Sequence, residues 1–286
     1  MYTTYFNLSR RPFELTPDPQ YFVPTPMHNE ALAALYYGVR RHKGFVVLTG
    51  EVGTGKTLLL RCLFRLFESS KDVAYAYLFN SRLSSADFLQ YVLSDFGLAA
   101  SGKNKCELLL DLSKFLVSRS SQQMTTVLIV DEAHDLPVDT MEELRLLSNF
   151  ETAEDNLLQV LLVGQPELEK KLESVELRQL KQRIAIRTQL GALTSKQTQT
   201  YIEQRLRIAG ADPGSRVLFS PAAIAEVHSF SCGIPRLINI ICENALVSAY
   251  ARHSPVVSER IIEDVAVELR LEGSPLAHEN VRTGSS

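Results

Sequence analysis

Four apolar runs punctuate the first 190 residues: "FVVLTG" (45–50), "VAYAYLF" (73–79), "TTVLIV" (125–130) and "LLQVLLVGQ" (157–165). None alternates cleanly between apolar and polar, as a strand with one wet face would. Between them lie stretches with apolar residues three and four apart: "HNEALAALYYGVRR", residues 57–68, "SADFLQYVLSDFG" with Gly97 at its end, residues 106–118, and "DTMEELRLLSNF". Buried strands in turn with amphipathic helices predict parallel β–α units with both sheet faces covered. After residue 190 only the helical period remains. Thr194 and Gln197 form a capping-box signal before "TQTYIEQRLRIAG", which stops at Gly210. Ser220-Pro221, Pro235 and Ser258 open three further helices, as N-cap and first-turn residues do. The first 27 residues, dense in proline and aromatic rings, predict an extended arm without a regular element. The expected order is an arm (1–27) packing on the core, an α/β core (28–190), a small all-α lid (191–272) and a loose tail (273–286).

Composition changes this picture little. The chain has 286 residues, 45% hydrophobic and 22% charged, values of an ordinary globular protein. Its net charge of -3 is spread evenly, so neither part is the strongly basic domain of a typical nucleic-acid binder. Four scattered cysteines (Cys62, Cys106, Cys232, Cys242) form no CxxC pair and read as thiols of a reducing compartment. No secretory leader and no membrane span is legible, so a cytoplasmic location is expected.

The segment Gly50-Glu51-Val52-Gly53-Thr54-Gly55-Lys56-Thr57 joins the first strand to the helix that continues with Leu58. It fits G-x-x-x-x-G-K-[ST] with the flanks that motif requires. Glycines let successive backbone N–H groups converge on one phosphate, and the helix N-terminus adds partial positive charge. Lys56 is placed for the β- and γ-phosphates of ATP, and Thr57 for Mg²⁺. The plain alternative is a glycine-rich turn with an exposed lysine.

Acidic residues at the exit of the third run, in "VLIVDEAH", supply the next requirement. Asp131 would serve the metal and Glu132 would orient or deprotonate the attacking water; otherwise both are surface acids. His134 reads as a loop histidine ahead of a supporting role. Gln165 ends the fourth run, where its amide could meet the γ-phosphate or the water. "ELRQLKQRIAIR" carries Arg178, Lys181, Arg183 and Arg187 at roughly helical spacing. A charge run is usually a solvated face, yet one arginine reaching a neighbouring subunit's nucleotide would stabilise the transition state strongly. Arg178 and Arg183 both remain open for that role. Arg236, in "CGIPRLIN", has the wrong sign for a helix start, which points to a nucleotide contact.

This order of motifs resembles an AAA+ ATPase. "FNLSRRPFELTPDPQYFVPTPMHNEALAALYYGV", "GFVVLTGEVGTGKT", "VDEAHDLP", "LLVGQPELEKKL" and "LRQLKQRI" together resemble the general secretion pathway protein A (ExeA/GspA) family from residue 1 to about 270. The resemblance implies a three-layer P-loop NTPase core with a helical lid and ATP/ADP and Mg²⁺ as ligands. It places adenine near Phe22, Met27 and His28, makes Gln165 the sensor-1 residue and Arg236 the sensor-2 residue. As partners it implies further copies of the chain and an inner-membrane export component. Secretion members commonly continue into a membrane helix and a periplasmic peptidoglycan-binding region, absent here, so a cytoplasmic fragment or a stand-alone relative is expected. Two other readings stand beside an export ATPase: a DNA-binding transposition regulator similar to TniB or MuB, and a nucleotide-gated scaffold with little hydrolysis.

Overall fold

The apolar runs become the strands of one parallel sheet. The computed structural model describes residues 1–79, 83–152, 155–211 and 218–271; the expected tail at 273–286 lies outside them. In chain order the elements begin with α1 (Tyr2–Tyr5), α2 (Pro26–Arg40), β1 (Phe45–Gly50), α3 (Lys56–Ser70) and β2 (Val73–Leu78). There follow α4 (Ser85–Asp95), α5 (Lys105–Ser121), β3 (Thr125–Val130), α6 (Val138–Leu147), β4 (Gln159–Gly164), α7 (Glu167–Leu172) and α8 (Arg178–Gln182). β5 (Ile184–Leu190) closes the sheet, and α9 (Ser195–Ile208), α10 (Pro221–Ser231), α11 (Pro235–Ala251) and α12 (Glu259–Glu268) complete the chain.

The strand order is β2-β3-β4-β1-β5, all parallel. β1, β3 and β4 are buried along their whole length, which is why their sequences are continuous apolar runs. Burial of each Val, Leu or Ile there contributes about 1.5–3 kcal/mol. The register aligns their exits. Thr49 pairs with Gly164 and Val130 with Leu162, so the residues that follow β1, β3 and β4 emerge at one sheet edge.

The fifth strand corrects the reading of "ELRQLKQRIAIR". Only Arg178–Gln182 is helical; Arg183 follows α8, and Arg187 lies on β5. β5 is an edge strand, and its residues alternate: Ile184, Ile186 and Thr188 half-buried, Ala185, Arg187 and Gln189 exposed. That period of two lay under charges whose spacing imitates a helix.

The chain divides into two compact units. The α/β unit comprises Pro26–Val52 and Lys56–Leu190, with a core from the sheet and α4–α8. The helical unit comprises Met1–Thr25, the loop tip Gly53–Gly55, and the chain from Gly191. The arm, expected to pack on the core, therefore belongs with the helices, and it contains the short helix α1 and a 3₁₀ turn at Pro19–Tyr21. The physical reason is Arg205 on α9, only 3% exposed. Its guanidinium donates to the carbonyls of Pro12 (2.6 Å), Glu14 (3.0 Å) and Tyr21 (3.5 Å), and lies 4.5 Å from the Tyr21 ring centroid. Phe13 is fully buried and meets Phe219 edge-on, and Tyr2 Oη donates to both carboxylate oxygens of Glu243 at 2.8 Å.

The capping signals form as read. Thr194 and Gln197 make a reciprocal capping box, Ser220 accepts from Ala223 N, and Pro235 opens α11. Ser258 occupies the N-cap of α12 without a side-chain cap bond.

Candidate functional site

The loop after β1 turns back on itself at two glycines. Gly53 has φ +84° and Gly55 φ +104°, conformations that side chains other than glycine's rarely adopt. Space also forbids a side chain at Gly53, where a Cβ would lie 2.7 Å from Arg236 Cβ. α3 starts at Lys56, directly after this loop in the chain, and its first-turn N–H groups have no partner within the helix. Glu51 and Val52 are exposed, Thr54 is buried, and Thr57 and Leu58 are half-buried in the first turn of α3.

Lys56 is only 6% exposed, and its ammonium donates to the carbonyls of Gly50 (2.6 Å) and Glu51 (3.1 Å). Burial pushes its pKa below the ordinary lysine value, while the charges of Glu132, Asp131 and Glu51 pull it back up. The lysine and the two acids thus share one electrostatic environment, although 75 residues of sequence separate them.

Asp131 is buried at the exit of β3. Its Oδ1 accepts from Glu132 N at 3.0 Å and its Oδ2 from Tyr77 Oη at 2.8 Å. Burial first, and then the Asp131 charge, push the Tyr77 phenol far above its usual range, so it stays a donor. Glu132 takes a left-handed backbone (φ +50°), uncommon for a non-glycine residue and a feature that clusters at functional sites. This turns the chain sharply between the two acids. Gln165, one residue past β4, meets His134: its amide nitrogen lies 3.1 Å from His134 Nε2.

The donor set fits a phosphate-bound Mg²⁺. Asp131 is a buried carboxylate at the sheet edge where Lys56 and the α3 N-terminus converge, and Thr57 offers the neutral hydroxyl such ions accept.

Met27 and His28 lie in the first turn of α2, half-buried and buried respectively, while Phe22 is a half-buried residue of the arm. Arg236, at the start of α11, donates its backbone N–H to the Gly53 carbonyl at 3.1 Å, and its side chain is exposed. The preceding Gly233 is obligatory: with φ +73°, a Cβ there would lie 2.0 Å from the Leu193 carbonyl oxygen. The two candidate finger arginines sit elsewhere. Arg183 precedes β5, at the opposite edge of the sheet, and donates to Ser148 Oγ (2.5 Å) and Asn149 Oδ1 (2.6 Å). With Lys43, Phe45 and Asn156 it lines a cavity of about 350 Å³. Arg178 is exposed, and among the described residues its side chain has no partner.

Two contacts escaped the sequence reading. Tyr77 looks like any strand residue until the sheet order sets β2 beside β3. His134 looks like a loop residue until β4 brings Gln165 against it.

A family model described as an AAA domain matches residues 39–172. General secretion pathway protein A of Aeromonas hydrophila is 42% identical over 270 residues, 94% of this chain and 48% of that protein. This chain carries an AAA domain and is similar to general secretion pathway protein A over nearly its whole length. It spans about half the length of that relative. Solved AAA+ structures share its fold. ORC2 of Aeropyrum pernix, in ADPNP–ADP complexes, has a TM-score of 0.64 at 19% identity, over 91% of this chain and 72% of that one. Cdc6p of Pyrobaculum aerophilum has a TM-score of 0.66 at 16% identity, over 90% and 70%. The Thermotoga maritima RuvB Holliday junction branch migration motor has a TM-score of 0.56 at 17% identity, over 87% and 70%. No described helix of this chain is long and apolar enough to cross a membrane.

Proposed function

We propose that this AAA+ protein binds and hydrolyses ATP with Mg²⁺, and that nucleotide-driven assembly of its copies serves an export machine of the cell envelope. The observation that carries the reading is the convergence of Lys56, Asp131 and Glu132 at the sheet edge where the α3 N-terminus and its glycine loop emerge. Backbone N–H groups of the loop and the Lys56 ammonium hold the phosphates, which requires Lys56 to leave the Gly50 and Glu51 carbonyls. Thr57 and Asp131 would hold Mg²⁺, which supplies charge neutralisation across the β- and γ-phosphates. Glu132 takes the proton of the attacking water, and Gln165 orients that water or the γ-phosphate. Met27 and His28, with Phe22, contact adenine. Arg236, fixed on Gly53 by its backbone, presents its guanidinium to the phosphates.

Arg178 is the better candidate for a finger acting on a neighbouring copy. Arg183 is engaged by Ser148 and Asn149, whereas Arg178 is exposed and free to reach another chain. The export role rests on the similarity to general secretion pathway protein A. A net charge of -3 spread along the chain does not favour the DNA-binding alternative.

Steady-state phosphate release under saturating Mg·ATP tests the reading. Glu132→Gln should keep nucleotide affinity and lose about 10²–10⁴-fold in turnover, the usual weight of a general base. Lys56→Ala should lose binding itself. Turnover that survives in Glu132→Gln would remove that residue as the base.

A further inference from the structure

Asp131 is held from two sides. Its Oδ1 accepts from the Glu132 backbone N–H at 3.0 Å, a bond that any residue but proline would supply at that place. Its Oδ2 accepts from Tyr77 Oη at 2.8 Å, and that bond needs the phenol of one particular strand residue.

Tyr77 is itself fixed through backbone and ring. β2 is an edge strand, yet α4 closes its outer side at this residue: the Tyr77 N–H donates to Asp95 Oδ2 at 2.6 Å, and the Tyr77 carbonyl accepts from Tyr91 Oη at 3.3 Å. Phe64 of α3 meets the Tyr77 ring edge-on, with centroids 5.3 Å apart. Phe64 in turn stacks on Tyr75, at 4.8 Å with 2° between the planes. In the helix, Phe64 follows Thr57 by two turns on the same face. The Tyr77 ring therefore rests on the face of α3 that begins with Thr57, while its hydroxyl holds Asp131. One side chain spans the two elements from which the metal donors come.

Each carboxylate oxygen keeps a second lone pair, so both hydrogen bonds leave Asp131 able to accept from a metal-bound water. What they remove is its freedom to rotate. Mg²⁺ demands near-ideal octahedral geometry, whereas Ca²⁺ accepts about six to eight oxygens in a flexible shell. A pinned carboxylate suits the first ion, and a mobile one weakens the distinction. Groups that orient a metal ligand are typically worth about 10–100-fold in metal affinity.

We propose that Tyr77 is a positioning residue that fixes the Asp131 carboxylate relative to Thr57, and so sets the preference of the nucleotide site for a small octahedral cation, Mg²⁺ or Mn²⁺, over Ca²⁺. The inference rests on the Mg²⁺–nucleotide reading of the site. Tyr77 acts through Asp131 and carries no step of hydrolysis.

Tyr77→Phe keeps the ring against Phe64 and removes only the hydroxyl. The test is Mn²⁺ uptake by the full chain with ADP, read from the electron paramagnetic resonance signal of free Mn²⁺, with Mg²⁺ and Ca²⁺ as competitors. In Tyr77→Phe, affinity for Mn²⁺ and Mg²⁺ should fall about tenfold or more, affinity for Ca²⁺ should fall less, and ADP affinity in EDTA should stay unchanged. Equal losses for all three ions, a weaker ADP affinity in EDTA, or no loss at all would each overturn the proposal. Asp131→Asn completes a cycle: added to it, Tyr77→Phe should cost Mn²⁺ affinity little more, and effects that multiply would show the phenol acting elsewhere. If wild-type protein takes up no Mn²⁺ with ADP, the metal–nucleotide reading falls and the inference with it. Uptake that Tyr77→Phe leaves intact removes the inference alone.

Discussion

At the scale of single residues, the candidate site depends on positions where only one residue type fits. Gly53 is the sharpest case, because its φ of +84° and the 2.7 Å approach of Arg236 Cβ act together. Gly53→Ala should cut nucleotide affinity at least about tenfold, since restoring the loop costs about 1–3 kcal/mol of backbone strain before any clash is relieved. A fluorescent-nucleotide titration measures the loss. An unchanged far-ultraviolet spectrum would show that the sheet, which does not include Gly53, is intact. Lys56, Asp131, Glu132 and Gln165 were all legible in the sequence, because a motif lysine and polar residues that end apolar strands are local signals. Tyr77 and His134 were not. Their partners lie 54 and 31 residues away, and no local pattern announces such distances.

At the scale of elements, the arm and α9 depend on one buried cation. Arg205→Ala would leave the carbonyls of Pro12, Glu14 and Tyr21 without their shared donor and should destabilise the helical unit by about 3 kcal/mol. Differential scanning calorimetry, with limited proteolysis of residues 1–25, should show a lower-melting unit and a cleavable arm. Glu243 adds a pH dependence. Burial raises its pKa, against the opposing influence of the Tyr2 hydrogen bond, Arg11 and Arg205, with Glu14 adding to the rise. A folded-state pKa above the unfolded one means that the native protein binds more protons between the two values. Its contribution to stability is therefore fully present below the unfolded pKa and lost as pH rises through the folded one. Acidifying from neutral through that window should stabilise the wild type relative to Glu243→Gln, and parallel melting curves against pH would remove Glu243 from the account. Strand β5 teaches the complementary lesson: its alternation was present in "IAIRTQL", but regularly spaced arginines suggested a helix, and only pairing with β1 resolved it.

At the scale of the whole molecule, the chain's own arginines bear on whether one copy can complete the site. Arg183 lies at the sheet edge opposite the glycine loop, and Arg178 is exposed. If Arg178 serves a neighbour, specific ATPase activity should rise with protein concentration. Arg178→Ala should then lower the plateau by about 10³-fold or more, while a variant lacking Lys56 but keeping Arg178 should partly rescue it on mixing. A flat concentration profile would demote Arg178 to a surface charge. Sequence alone determined the parallel α/β core, the glycine loop, the acidic strand exit and the helical unit, because buried strands, caps and phosphate loops each leave a signature within a few consecutive residues. Tertiary structure alone decided the fifth strand, the placement of the arm with the helices, and the contacts of Tyr77 and His134. Those depend on which strands lie side by side and on which buried polar atoms need partners, and neither is encoded at any fixed spacing along the chain.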